Sequence, residues 1–107
     1  MSAPWISLIF AGLFEIGWPV GLKLAQSPGR TLLGIIIAVA CMALSGWLLW
    51  LAQKEIPIGT AYAVWTGIGA AGTFLVGVFF FGDSTSLLRW TAVLLIISGV
   101  ALLKLAH

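Results

Sequence analysis

PWISLIFAGLFEIGWPVGLKL, residues 4–24, decides how the chain must be read. A helix rises about 1.5 Å per residue, so roughly 20 residues cross the ~30 Å hydrocarbon core of a bilayer. This run has that length, and before Lys23 its only ionisable group is Glu15, near its middle. A carboxylate at that depth costs about 2.5–3.5 kcal/mol on insertion scales. Acids kept at such a cost more often handle ions or protons than merely glue helices together, so Glu15 is the first candidate functional residue. The bland alternative is a neutral glutamic acid hydrogen-bonded between helices.

The rest of the chain agrees with a membrane reading. Hydrophobic residues make up 62% and charged residues 7%, against about 45–50% and about 25% in soluble domains. Eight charged side chains (five Lys and Arg, three Asp and Glu) cannot cover a water-facing surface, so the lipid bilayer is the solvent. The net charge of +2 comes without a basic patch, which excludes nucleic acid as a partner. Cys41 is the lone cysteine, so no internal disulfide forms, and the lone histidine is the last residue, which leaves no metal-ligating set. No cofactor-binding loop is present either. The N-terminal run lacks a basic leader and has full spanning length, so it reads as a span and not as a cleavable signal.

Four apolar runs succeed one another in a single domain, residues 1–107: about 4–24, 31–52, 58–81 and 87–105. The breaks are turn-forming: Ala25 to Arg30 with Pro28 and Gly29, then Gln53 to Pro57, then Gly82 to Ser86. Pro57 suits a helix's first turn, and the Ser84–Thr85–Ser86 cluster can cap the fourth run. Without water to satisfy the backbone, runs this long and lacking alternation must be helices. Short loops make neighbours antiparallel, which predicts an all-α integral membrane protein, an up-down bundle of four transmembrane helices. Trp5, Trp47, Trp50 and Trp90 fall near span ends, where indole prefers the interface. Trp18 and Trp65 fall inside spans, so packing or a ligand must explain them.

Charge balance bears on orientation. Both termini and the 53–57 loop share one side with Lys54 and Lys104, while Lys23, Arg30 and Arg89 lie on the other. That split gives the positive-inside rule little to act on. The expectation is a chain that inserts both ways and pairs as a dual-topology antiparallel dimer.

On the first run, Leu8, Gly12, Glu15, Trp18 and Leu22 recur at helical spacing on one face. Gly12 clears space one turn before the acid, and Trp18 stands one turn after it. Glu15 in such a setting can exchange a proton with water or bind a cation instead. In the second run Ser45 is the deep hydroxyl, either bonded back to its own helix or donating to a carboxylate. Cys41, one turn earlier, reads as a small packing residue. In the third run, GTAYAVWTGIGAAG (59–72) places Tyr62, Trp65 and Gly69 on one face, and Gly67, Gly69 and Gly72 favour a bend. A row of small residues, Gly59, Ala63, Gly67 and Ala71, suits close helix packing on another face. The fourth run, TAVLLIISGVALLK (91–104), reads as an association helix.

FAGLFEIGW (10–18), SGWLLWLAQKEIPIGTAYAVWTGIGA (45–70) and LLIISGVALLK (94–104) resemble the small multidrug resistance transporters along essentially the whole chain. Glu15 with Trp18, and Trp65 followed by Thr66, Gly67, Ile68 and Gly69, look like that family's guanidinium-exporter branch. The resemblance implies an antiparallel homodimer in the bacterial inner membrane that exchanges protons for a guanidinium cation. Under it, Glu15 of both subunits binds proton and substrate in turn, and Trp18 and Ser45 orient and hydrogen-bond the carboxylate. Tyr62 and Trp65 lie beside the site, Gly12 is the glycine on the acid's face, and Gly67 and Gly69 mark a helix bend. Pro19, directly after Trp18, departs from the family's usual small residue, as does the loop LAQSPGR from its usual sequence. Some relatives pair unlike chains, so a heterodimer is the variant assembly.

The leading expectation is therefore a proton-coupled antiporter for guanidinium-type cations, whose planar donors match a carboxylate in bidentate fashion. The alternatives are a polyspecific exporter of quaternary ammonium and other hydrophobic cations, held by cation–π contacts, a small dual-topology ion channel, and an accessory membrane subunit. No enzyme reading finds a base–nucleophile pair.

Overall fold

Residues 2–106 are described by a computed structural model, which leaves the histidine, His107, outside the described residues. Four helices are arranged in order: α1 (Ala3–Ala25), α2 (Thr31–Ala52), α3 (Ile58–Phe80) and α4 (Leu87–Ala106). Each is long and apolar enough to cross a membrane. Proline and hydroxyl residues set their ends. Pro4 lies in the first turn of α1, where its missing N–H would have had no helical partner. The Thr31 hydroxyl donates to the Ala25 carbonyl at 3.0 Å, tying the start of α2 to the end of α1. Pro57 caps α3 from just outside it, and Ser86 Oγ accepts the Arg89 N–H at 3.2 Å, the cap that the Ser/Thr cluster predicts for α4.

The hub is α1, which packs on both α2 and α3, while α2 barely reaches α3. Backbone approach makes the α1–α2 contact possible. A Cβ on Gly21 would lie 2.7 Å from the Ala38 nitrogen and 2.8 Å from the Gly34 carbonyl oxygen, and one on Gly34 would overlap the Gly21 carbonyl. A Cβ on Gly17 would likewise overlap the Cys41 sulfur, so Cys41 is a packing residue. Gly17, Gly21 and Ala25, spaced by four, thus form the small-residue seam that lets helices approach in lipid. Such a row was expected on α3. There Gly59 faces open space, and Gly67 receives the Val100 side chain of α4.

A buried cluster closes one end. Trp5 and Leu8 of α1, Ala52 and Ile56 at the end of α2 and its loop, and Ala61 and Val64 of α3 pack together near the 53–57 loop. Trp5, expected in an interfacial setting, is 4% exposed within this core, with Lys104 Nζ 4.8 Å from its ring centroid. Its indole fills space between helices that a smaller residue would leave empty. Trp50 keeps the expected exposed position, with Lys54 Nζ 4.2 Å over its ring.

The four expected helices are present, and the fourth stands at the edge of the array. The backbone of α4 comes close to α3 alone and only side chains near its C-terminal end, Lys104 among them, reach α1, while Val93 is its only buried residue among those described. Leu87, Leu88, Leu94, Leu95, Leu102 and Leu105 stay exposed. The array is 19 Å across its thinnest dimension, about two helix diameters. The reason is that lipid tails are as apolar as leucine, so no hydrophobic force folds α4 back onto α1 and α2.

Candidate functional site

Glu15 faces α3 at a place where α3 has no side chain. A Cβ on Gly69 would sit 2.5 Å from Glu15 Cγ and 3.2 Å from its Cβ, so the acid occupies the gap the glycine leaves. From there its carboxyl reaches a cleft of about 430 Å³ between α1 and α3. Pro19, Thr66, Ala70, Thr73, Phe74 and Asp83 complete the walls.

Among the described residues one side-chain donor meets the carboxyl group. Trp18 Nε1 donates to Glu15 Oε1 at 2.6 Å, from one turn further along the same helix. A carboxylate has about four acceptor positions, and Trp18 fills one. Among the described residues no cationic side chain comes within ion-pair range of Glu15. A mid-span carboxyl so placed has acceptor capacity left open toward the cleft.

A second polar set braces the turn beneath. Ser45 is 1% exposed, and its hydroxyl donates to the Ala11 carbonyl of α1 at 2.7 Å. It accepts in turn from Trp65 Nε1 at 2.8 Å. Neither expected partner of Ser45, its own helix or a carboxylate, takes its proton. The glycine seam brings α2 close enough for Ser45 to reach across instead. In an α-helix the Ala11 carbonyl is also the acceptor for the Glu15 N–H, so Ser45 and Trp65 steady the backbone turn that carries the acid.

The remaining sequence-derived candidates divide. Tyr62 is 57% exposed, and its ring tilts against Trp65 with centroids 5.5 Å apart. Gly12 is buried, and Ile68 takes the room beside it, 2.7 Å from where a Cβ would stand. Gly12, Trp18, Ser45, Tyr62 and Trp65 all lie outside the walls of the Glu15 cleft in the single chain. Gly67 and Gly69 both lie within the unbroken helix α3, the first packed by Val100 and the second by Glu15.

Thr66 belongs to the motif after Trp65 but has no part in the site on that reading, and Thr73 and Asp83 lie outside every motif; the structure puts all three in the cleft wall. The signal for the first two is a stripe on α3 at positions 66, 69, 70, 73 and 74, with the i, i+3, i+4, i+7, i+8 spacing of one helix face. It adjoins the Tyr62–Trp65–Gly69 line and shares Gly69 with it, displaced round the helix toward the α1 side.

Comparison with known proteins now places the chain. The profile of the family described as Small Multidrug Resistance protein matches residues 3–96. The chain is similar to a guanidinium exporter of Yersinia pseudotuberculosis, 50% identical over 102 residues that cover 95% of this chain and 97% of that one. A guanidinium exporter of Proteus vulgaris is 46% identical over 95% of this chain and 97% of its own length. One from Escherichia coli K12 is 45% identical over 95% of this chain and 96% of its own. With four membrane-capable helices, a lone mid-span acid and a match along nearly its whole length, the chain belongs to the small multidrug resistance family.

Proposed function

We propose that the chain is a multi-pass bacterial inner-membrane transporter, not an enzyme, that exports guanidinium-type cations in exchange for protons. Both ligands use Glu15 in turn. The observation that carries this reading is the state of that carboxyl group: one indole donor, no cationic partner, and an open cleft beside it. A planar guanidinium offers paired N–H donors to a carboxylate whose other acceptor positions are free. A proton neutralises the same group. Because the two ligands exclude each other at one carboxylate, transport in one direction drives the other without a separate coupling element.

The names of the similar proteins support the cation class. The packing supports the assembly. The exposed leucines of α4 and the near-even charge split favour a second, inverted copy of this chain, so that two Glu15 side chains serve one central site and take up protons as a coupled pair. In that dimer Trp65 and Tyr62 flank the site from outside the single-chain cleft, and the glycines at 67 and 69 are where α3 bends. The apolar plug of Trp5, Leu8, Ile56 and Val64 keeps one end shut while the α1–α3 groove lies open toward the other.

The test uses proteoliposomes carrying a pH-sensitive dye. An imposed guanidinium gradient is expected to drive proton movement, and an equal gradient of a quaternary ammonium ion to drive little. Proton flux with the quaternary ion and none with guanidinium would replace the cation class. Guanidinium current without proton counterflow would make the chain a channel.

A further inference from the structure

The groove that holds Glu15 continues beyond it. Pro19, Thr73 and Asp83 line the Glu15 cleft and also a second cavity of about 230 Å³ that reaches Lys23, Gly77 and Phe81. The two cavities share these walls and lie next to each other along the α1–α3 groove, which runs from mid-span toward the helix ends near Lys23 and Asp83.

The groove has oxygen acceptors at intervals. Thr91 of α4 shows the ordinary behaviour of a helical threonine in lipid, donating back to the Leu87 carbonyl at 2.7 Å. Thr66 and Thr73, which line the cleft, make no hydrogen bond within the described chain. Hydroxyls left open in a membrane cleft have their capacity free for a ligand or for water.

Asp83 is held where the two cavities meet. Gly82 takes φ of +69°, the left-handed region that glycine enters without strain. The Phe81 N–H makes the last helical bond to the Gly77 carbonyl (3.1 Å), and the Gly82 turn brings the Asp83 N–H back to the same oxygen (3.0 Å). The Asp83 carboxyl group then lies against Gly77, where an added Cβ would overlap it. Lys23 lines the same outer cavity, yet it makes no ion pair with Asp83 within the described chain. Glu15, Asp83 and Lys23 are the charged groups that face the groove.

We propose that Asp83 and Thr73 form a second, outer cation site, where a guanidinium-type ion rests between water and Glu15. The inference builds on the Glu15 reading above. Asp83 takes two N–H donors of the planar ion, the Thr73 hydroxyl accepts a third, and the ion then moves one or two helical turns inward to Glu15. Lys23, on the outer cavity alone, opposes a second cation there and keeps the site weak, so it releases its ion readily.

The full-length protein in lipid nanodiscs tests this by NMR titration with guanidinium chloride. With Glu15→Gln removing the inner site, saturable shifts should persist at Thr73 and Asp83, and the Glu15→Gln/Asp83→Asn double variant should lose them. In transport assays Asp83→Asn should raise the guanidinium KM about fivefold or more, the range of one hydrogen-bonded charge contact. Gly77→Ala should act in the same direction, because its methyl group displaces the Asp83 carboxyl without removing its charge. Glu55→Gln, in the loop at the other end of α3 from Asp83 and outside both cavities, should leave KM unchanged. A wild-type KM for Asp83→Asn, or guanidinium shifts in Glu15→Gln that survive Asp83→Asn, would overturn the outer site. So would a KM effect that vanishes in high salt without any saturable shift, since that is long-range attraction and not binding. Transport at the wild-type rate by Glu15→Gln alone would instead overturn the Glu15 reading.

Discussion

Glu15→Gln is expected to abolish guanidinium-driven proton movement in proteoliposomes, by roughly 100-fold or more. Removing one partner of a desolvated charge pair costs about 3–5 kcal/mol, and each ~1.4 kcal/mol is a factor of ten. The amide is close in shape to the acid, so Trp18 can still donate to its oxygen and Gly69 still leaves it room. The loss would therefore report the missing charge and the missing exchangeable proton, and a near-normal thermal midpoint in detergent should accompany it. A Glu15→Gln protein that coupled guanidinium to protons at the wild-type rate would mean that the cation and proton bind elsewhere.

Gly69→Ala should have the next largest effect, although it removes no functional group. The new methyl would stand 2.5 Å from Glu15 Cγ and 3.2 Å from its Cβ. These atoms lie at the root of the side chain, so a rotation at its tip cannot relieve the clash. Either the acid swings out of the cleft or α1 and α3 separate. Displacing a binding carboxylate by about 1 Å can cost on the order of 100-fold in a reaction that depends on its placement, and a loss of at least ~10-fold in transport rate is the expected result here. The Trp18–Glu15 hydrogen bond offers a second readout, because a shifted carboxyl should alter the indole N–H resonance of Trp18. Wild-type transport by Gly69→Ala would show that the contact between the acid and α3 is incidental.

These effects differ in how visible they are in the sequence alone. The four spans are legible because hydropathy and length are bulk properties of a run, and the bilayer leaves the backbone one solution. Glu15 is legible because a lone charge among apolar residues stands out. Its contact with Trp18 follows from i, i+3 spacing on a single helix. Ser45 shows where such reading ends. Its partner is a carbonyl of another helix, and the contact depends on how closely Gly21 and Gly34 let α1 and α2 approach. No pattern within α2 contains that distance. The openness of α4 is a similar case, since an apolar helix in lipid reads the same whether its neighbours cover it or not. Thr66 and Thr73 do form a stripe on α3, but several faces of that helix carry small or polar residues. Only the position of α1 shows which of them meets the acid. Asp83 reads as a loop residue until the Gly82 turn folds it back over Gly77.

Proton release on guanidinium binding tests the shared use of Glu15 most directly. Purified protein in weakly buffered detergent, mixed with guanidinium chloride in the presence of a pH indicator, should release protons in proportion to the sites filled, and Glu15→Gln should release none. Guanidinium binding without proton release, or equal release from Glu15→Gln, would contradict the competition of cation and proton for that carboxylate.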